Sequence, residues 1–417
     1  MDPEDARGRP RILWIKTELL HPVDKGGRIR TLEMLRRLKA THHVTYLTLD
    51  DLTATPDDRA RASEYCDDLV CVPHRLATRG SALFYLEALL NLASPLPYAI
   101  ARYRNRAMTR EIVRRAPLCD VVVCDFLVSA VNMPSPAPWP KVLFQHNVEA
   151  EIWRRHALNR KGAAARRFFA RQQRRMEVYE RDACRSFDSV VAVSQDDCEL
   201  MRRAYGLPRV DWVPTGVDTQ YFTPGENATP ETSSLVFTGS MDWLPNEDAI
   251  RWFLDAVMPL IKARVSDARL IVVGRNPGKA LKDIAASRDD VVVTGRVDDV
   301  RPYVRAARVF VAPIRIGGGT RLKIYEAMAM GKPVVSTTIG AEGLPLAPGR
   351  DLLIADDPGQ FAAAVVEALQ NDSLAEAISR QALAIVRENF GWDRVAEKFA
   401  AFCTAAAQPH AAVRRSP

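Results

Sequence analysis

Long apolar runs are missing from this sequence. No stretch approaches the roughly 18 to 20 apolar residues of a membrane-spanning helix. The N-terminus, with Asp2, Glu4, Asp5 and prolines, has no signal-peptide core, so a cytoplasmic protein is expected. The seven cysteines, at 66, 71, 119, 124, 184, 198 and 403, are odd in number and form no Cys-x-x-Cys pair. That argues against a disulfide framework or a zinc site and for buried free thiols. No Asp-x-Asp occurs, and no histidine or cysteine spacing makes a metal site, so chemistry without a metal or cofactor is expected. Also absent are a Gly-Lys-Ser/Thr P-loop, a Gly-x-Gly-x-x-Gly dinucleotide fingerprint and an internal repeat of about 20 to 50 residues.

What is present is an ordinary globular composition, 417 residues and 47% apolar, enough for two α/β domains with separate cores. The net charge of +7 suits a protein that meets phosphates or an anionic membrane surface and names neither. Short β-branched runs alternate with helical periodicity: 11–17, 44–49, 69–72, 121–125, 142–145 and 190–193, then a second series at 235–238, 269–273, 291–294, 309–313, 333–337 and 352–355. The alternation predicts doubly wound parallel sheets. Residues 219–234 are polar and aperiodic and read as a linker between a first domain, 1–218, and a second, 235–391, with a terminal helical pattern at 392–417.

Residues 309–335 carry the strongest chemical signal, in the order strand, glycine loop, helix, strand. Gly317, Gly318 and Gly319 free the backbone to turn and approach a ligand; Thr320 is placed to N-cap a helix of about three turns, which Gly331 and Pro333 end. A helix N-terminus favours an anion. Arg321 and Lys323 in its first turn oppose the helix dipole, which points to a negatively charged guest, and Glu326 lies on the face of Lys323, one turn deeper, where a carboxylate can accept bonds from sugar hydroxyls. Taken alone, the Lys–Glu pair reads equally as a solvated surface helix.

Glu326-Ala-Met-Ala-Met-Gly-Lys-Pro-Val-Val335 resembles the C-terminal signature of retaining glycosyltransferase family 4, a pair of Glu residues with the second followed by Ala-Met-Ala-x-Gly-x-Pro-Val-Val. The first acid would fall at position 318, where Gly318 stands. The Gly-Gly-Gly-Thr-Arg-Leu-Lys form is similar to a subgroup from bacterial exopolysaccharide and cell-surface glycan clusters. The resemblance implies the GT-B arrangement, two Rossmann-like domains facing a cleft with a terminal helix crossing back onto the first. It also implies transfer with retention, without a protein nucleophile or a metal, from a nucleotide-diphosphate sugar to a glycan or polyprenyl-diphosphate-linked acceptor.

On that resemblance His146, in Gln145-His-Asn-Val-Glu149, faces the transferred sugar as a hydrogen-bond partner; by itself a histidine near a helix start is more often structural. Gly239 and Ser240 close the first strand of the second domain, where many relatives carry a diphosphate-binding Arg, and Arg321 is the substitute expected here. Val297 matches the segment whose backbone reads the nucleobase. Glu342 reads either as a sugar contact or as part of a simple turn. Gly26 and Gly27 form a glycine turn at the carboxyl edge of the first strand, where the chain can approach donor or acceptor. Ser194 reads as a structural N-cap. The arginine-rich segment 153–185 predicts one or two basic amphipathic helices, suited to an anionic membrane at the inner face of the plasma membrane, to a solvated face over a core stripe, or to nucleic acid, for which no recognised module is present. A sugar-nucleotide epimerase and a non-catalytic nucleotide-sugar-binding relative are the alternatives to a transferase.

Overall fold

Buried runs of Val, Ile and Leu become parallel strands because both faces of each strand are covered by helices. A computed structural model describes residues 8–23, 26–78, 80–158, 162–225, 231–316 and 322–415. The chain divides into two units: one comprises 1–213 with 395–417, the other 214–394.

The first unit holds a seven-stranded sheet of β1 (Arg11–Lys16), β2 (His43–Asp50), β3 (Asp68–Pro73), β4 (Val121–Asp125), β5 (Lys141–Phe144), β6 (Ser189–Ala192) and β7 (Val210–Trp212), in the order β3-β2-β1-β4-β5-β6-β7. Every pairing is parallel, with Ile12 opposite both Val44 and Val121. The three-residue β7 has too little pattern to be read from sequence. Trp14 on β1 packs against Phe399 of the C-terminal helix Trp392–Arg415 with ring centroids 5.5 Å apart, and Phe144 lies 4.8 Å from Phe399. All seven cysteines are free and lie in this unit; Cys71 is half-buried and the others are buried.

The second unit holds a six-stranded parallel sheet of β8 (Glu231–Thr238), β9 (Arg269–Val273), β10 (Val291–Gly295), β11 (Ala307–Ala312), β12 (Val334–Ser336) and β13 (Leu353–Ile354), in the order β10-β9-β8-β11-β12-β13. Its two faces carry separate clusters, one around Phe253, Val272 and Phe361, the other around Phe310, Tyr325 and Met328. Glu231 already opens β8, inside the stretch read as a linker. The Asp218 carboxylate accepts from the amides of Gln220 and Tyr221, and Arg301 stacks 3.8 Å from the Tyr221 ring, so this stretch is ordered at its start.

Both sheets reverse direction of winding at one place, between β1 and β4 and between β8 and β11. In open α/β sheets ligands bind outside the carboxyl ends of the strands at such switch points. That rule picks out Lys16 and Asp125 in one unit, and Gly239 and the loop after Ala312 in the other.

Candidate active site

In the first unit β1 ends on Lys16 and β4 on Asp125, 1% and 0% exposed, and the Lys16 ammonium donates to Asp125 Oδ2 at 2.8 Å. Two charges so deep in the sheet are tolerable only because they are paired and hydrogen-bonded. Lys16 also donates to Thr31 Oγ1 at 3.0 Å, Thr31 donates to Asp125 Oδ2 at 2.6 Å, and the Trp14 indole N–H donates to the same oxygen at 3.2 Å. Burial works against an ionised Asp125, yet the Lys16 ammonium and the His146 ring overcome it and hold the carboxyl well below the usual range.

His146 follows β5 and presents Nε2 to Asp125 Oδ1 at 2.6 Å, while its Nδ1 lies 2.9 Å from Arg30 Nη1. A guanidinium can only donate, so Nδ1 accepts and the proton sits on Nε2. The ring is neutral, because burial pushes the imidazole down to about 3 despite the pull of Asp125. Both nitrogens are thus committed to protein partners. In this arrangement the ring joins Asp125 to Arg30.

Phe126 adopts a left-handed backbone, φ +68°, and stacks on His146 with centroids 3.7 Å apart, while Lys16 Nζ lies 4.1 Å from the centre of its ring. A Cβ on Gly27 would stand 2.8 Å from Phe126 Cζ, which explains a glycine in the first turn of the helix Gly26–Thr41. Nothing crowds Gly26, which leaves that position open to an incoming group. Asp24 and Lys25 lie outside the described residues.

A second buried carboxylate organises the turn after β5. Glu180, on the helix Ala163–Ser186, accepts from the amides of Glu149 and Ala150 at 2.9 and 2.8 Å, from Gln145 Nε2 at 2.9 Å and from the Tyr205 hydroxyl at 2.8 Å. It therefore caps the helix Glu149–Leu158 from another helix. Burial, and then the Glu180 charge, push the Glu149 carboxyl up to about 7. The arginine-rich segment forms these two helices, with a core stripe of Gln172, Met176, Glu180 and Cys184. Ser194 is an N-cap as expected, its hydroxyl accepting from Asp197 N at 3.1 Å.

In the second unit the helix after the glycine loop is described over Leu322–Ala329, and Gly331 ends it with φ +68°. Gly317, Gly318, Gly319, Thr320 and Arg321 lie outside the described residues. Lys323 Nζ donates to Asn246 Oδ1 at 2.9 Å and sits 4.1 Å from the centre of the Phe237 ring. Asn246, buried in the helix Leu244–Trp252, donates in turn to the carbonyl of Ser240 at 2.8 Å. A Cβ on Gly239 would stand 2.6 Å from Lys323 Nζ and 2.7 Å from Asn246 Nδ2, so glycine there lets the ammonium reach the end of β8. The Ser240 hydroxyl meets Asp242 and accepts from Arg275 Nε at 2.9 Å. Burial raises the Glu326 carboxyl to about 7 against the pull of Lys323, and among the described residues it accepts no hydrogen bond. Val297 packs into the Phe310 and Tyr325 cluster, and Glu342 is exposed in the turn after β12.

Gly239, Ser240, Lys323 and Glu326 are thus brought together at one switch point, and Gly27 and His146 at the other. Lys16, Arg30, Asp125, Asn246 and Arg275 were not singled out from sequence. For Lys16 and Asp125 the available signal is a charge closing an apolar run of strand residues. Asn246 and Arg275 leave none, because their roles depend on partners in other elements.

Two family models match the chain: Glycosyltransferase Family 4 over residues 25–221 and Glycosyl transferases group 1 over 232–371. The chain belongs to glycosyltransferase family 4 and is a glycosyl-transfer enzyme. It is 22% identical to an uncharacterised 44.6 kDa protein in the cps region of Klebsiella pneumoniae, over 92% of this chain and 97% of that one. A D-inositol 3-phosphate glycosyltransferase of Pseudarthrobacter chlorophenolicus is 29% identical over 54% of this chain, which spans 57% of the relative's length. Among solved structures, Anabaena HepE in complex with UDP and glucose superposes with a TM-score of 0.61 at 13% identity, over 94% of this chain and 99% of that one, a likeness of fold. That fold is GT-B.

Proposed function

We propose that this enzyme transfers a sugar, with retention of configuration and without a metal, from a nucleotide-diphosphate donor to a glycan or polyprenyl-diphosphate-linked acceptor in bacterial surface polysaccharide synthesis. The observation that carries this reading is the Lys323 ammonium held by Asn246 at the β8/β11 switch point, beside Gly239, where a Cβ would crowd it, and a Glu326 carboxylate that accepts no hydrogen bond among the described residues. Breaking a sugar–diphosphate bond builds negative charge on the leaving phosphate. Lys323, with Arg321 and the amides of Gly317 to Thr320, neutralises that charge, in the role a cation plays elsewhere. Glu326 holds ribose hydroxyls, the backbone at Val297 reads the base and Glu342 contacts the sugar. Attack comes from the face the leaving group vacates, so no protein nucleophile is needed. In the first unit the acceptor approaches at Gly26 and Gly27, and His146 acts as a positioning residue that fixes Arg30 and Asp125.

The relative in a cps region and the HepE complex with UDP and glucose support a surface glycan product and a nucleotide-sugar donor. Among the described residues no helix is long and apolar enough to cross a membrane, and a lipid-linked acceptor is reached by peripheral contact from the cytoplasmic side. The test is thermal shift with UDP, GDP, ADP and TDP. One nucleotide should raise the melting temperature of the wild type and leave Lys323→Ala, folded and otherwise alike, unshifted. A mutant that responds like the wild type would remove Lys323 from the phosphate site.

A further inference from the structure

The helix Ala82–Leu90 combines apolar composition with exposure. Its sequence, Ala-Leu-Phe-Tyr-Leu-Glu-Ala-Leu-Leu, is apolar almost throughout, yet it contains no buried residue. Leu83, Tyr85, Leu86, Leu89 and Leu90 are 50 to 68% exposed. Single exposed leucines are ordinary, whereas five large apolar side chains on one short helix form a contiguous patch of the kind that marks an interaction surface. The helix is nevertheless well anchored. Ser81 Oγ accepts from Phe84 N at 3.1 Å, Phe84 meets the Tyr98 ring edge-on at 5.4 Å, and Tyr98 OH donates to Glu87 Oε2 at 2.9 Å, which ties down the only charge on the helix.

What borders this patch decides its partner. The turn Asn91–Ala93 that follows is docked on the helix Ala163–Ser186: Arg171 and Arg175 donate to the Leu92 carbonyl at 3.1 and 2.7 Å, and Gln172 accepts from Tyr98 N at 2.9 Å. Arg167 and Arg174 are exposed there two turns apart on one face, beside the docking line. An apolar helix edged by guanidinium groups is complementary to a bilayer with anionic headgroups, because the leucines enter the acyl boundary while the arginines remain at the phosphates. Self-association about a two-fold would instead bring like-charged edges of the two copies toward each other.

We propose that Ala82–Leu90 is a membrane-insertion element that seats the first unit on an anionic lipid surface, with Arg167 and Arg174 engaging lipid phosphates. The inference rests on the lipid-linked acceptor read above, so vesicle binding is measured without donor or acceptor and the two can fail separately. Full-length protein is sedimented with phosphatidylcholine vesicles containing about one-third phosphatidylglycerol, and with phosphatidylcholine alone. The wild type should pellet with the anionic vesicles about ten-fold more than with the neutral ones. L83S/L86S/L90S should lose most of that binding while keeping its melting temperature, since these side chains are exposed, and should keep its nucleotide thermal shift. R167Q/R174Q should lose the preference for anionic lipid. Undiminished pelleting of the leucine variant would overturn the proposal. So would a wild type that ignores vesicles and runs as a dimer that the leucine variant dissolves. Vesicle binding with no nucleotide response would leave this surface standing and count against the transferase reading alone.

Discussion

Asp125 gathers donors from three directions: Lys16 on its own sheet, Thr31 on the neighbouring helix and His146 after β5. Removing the acceptor strands an ammonium, an indole and a hydroxyl in the interior. Asp125→Ala is therefore expected to cost about 3–5 kcal/mol in urea unfolding, as broken buried ion pairs do. Glu326 gives a pH signature. Its carboxyl is raised to about 7, so above that pH the empty site holds a costly charge that hydroxyl donors relieve. On the proposed ribose contact the bound nucleotide favours the ionised form, so affinity should rise with pH up to and through 7 and weaken below it by up to about ten-fold per pH unit. Glu326→Gln should flatten the profile in calorimetric titrations; an unchanged slope would remove Glu326 from the nucleotide. The Lys323–Glu326 pair was readable from sequence because both residues lie on one helix next to a glycine loop. The Lys16–Asp125 pair joins residues 109 positions apart, a separation no local pattern reports.

At the scale of elements, the strands were readable wherever β-branched runs were long enough to be buried on both faces. The terminal helix pattern beginning at Trp392 was visible too, since its apolar side meets Trp14 and Phe144 through Phe399. What periodicity could not supply was the device that starts the helix Glu149–Leu158. That helix is capped by Glu180, 31 residues after Glu149, rather than by a Ser, Thr, Asp or Asn at the position before it. Within the arginine-rich segment a lone Glu looks like one more surface charge. Glu180→Ala should orphan two buried amides and the Tyr205 hydroxyl and cost about 2–4 kcal/mol. Hydrogen exchange should speed up over 149–158 while the body of Ala163–Ser186 stays protected, and uniform loosening of both helices would argue against a capping role.

For the whole molecule, the same strand order around each switch point gives two sites of unlike chemistry. One is a neutral imidazole and a buried ion pair, the other a half-buried ammonium and a carboxylate that accepts no hydrogen bond among the described residues. On the proposed assignment a nucleotide diphosphate should slow hydrogen exchange in peptides covering 236–246 and 322–330 and leave 11–16 and 121–126 unchanged. Protection confined to the first unit would reverse the assignment of donor and acceptor.

The distribution of sulfur has its own use. Since all seven thiols are in the first unit, none of residues 214–394 can react with a thiol reagent. Burial raises Cys66 and Cys403 to about 12 and Cys119 to about 11, so little thiolate forms even where reagent arrives. Modification kinetics are thus a built-in clock for opening of one unit, blind to the other, and a single cysteine placed on the second unit's surface would carry a label with almost no background.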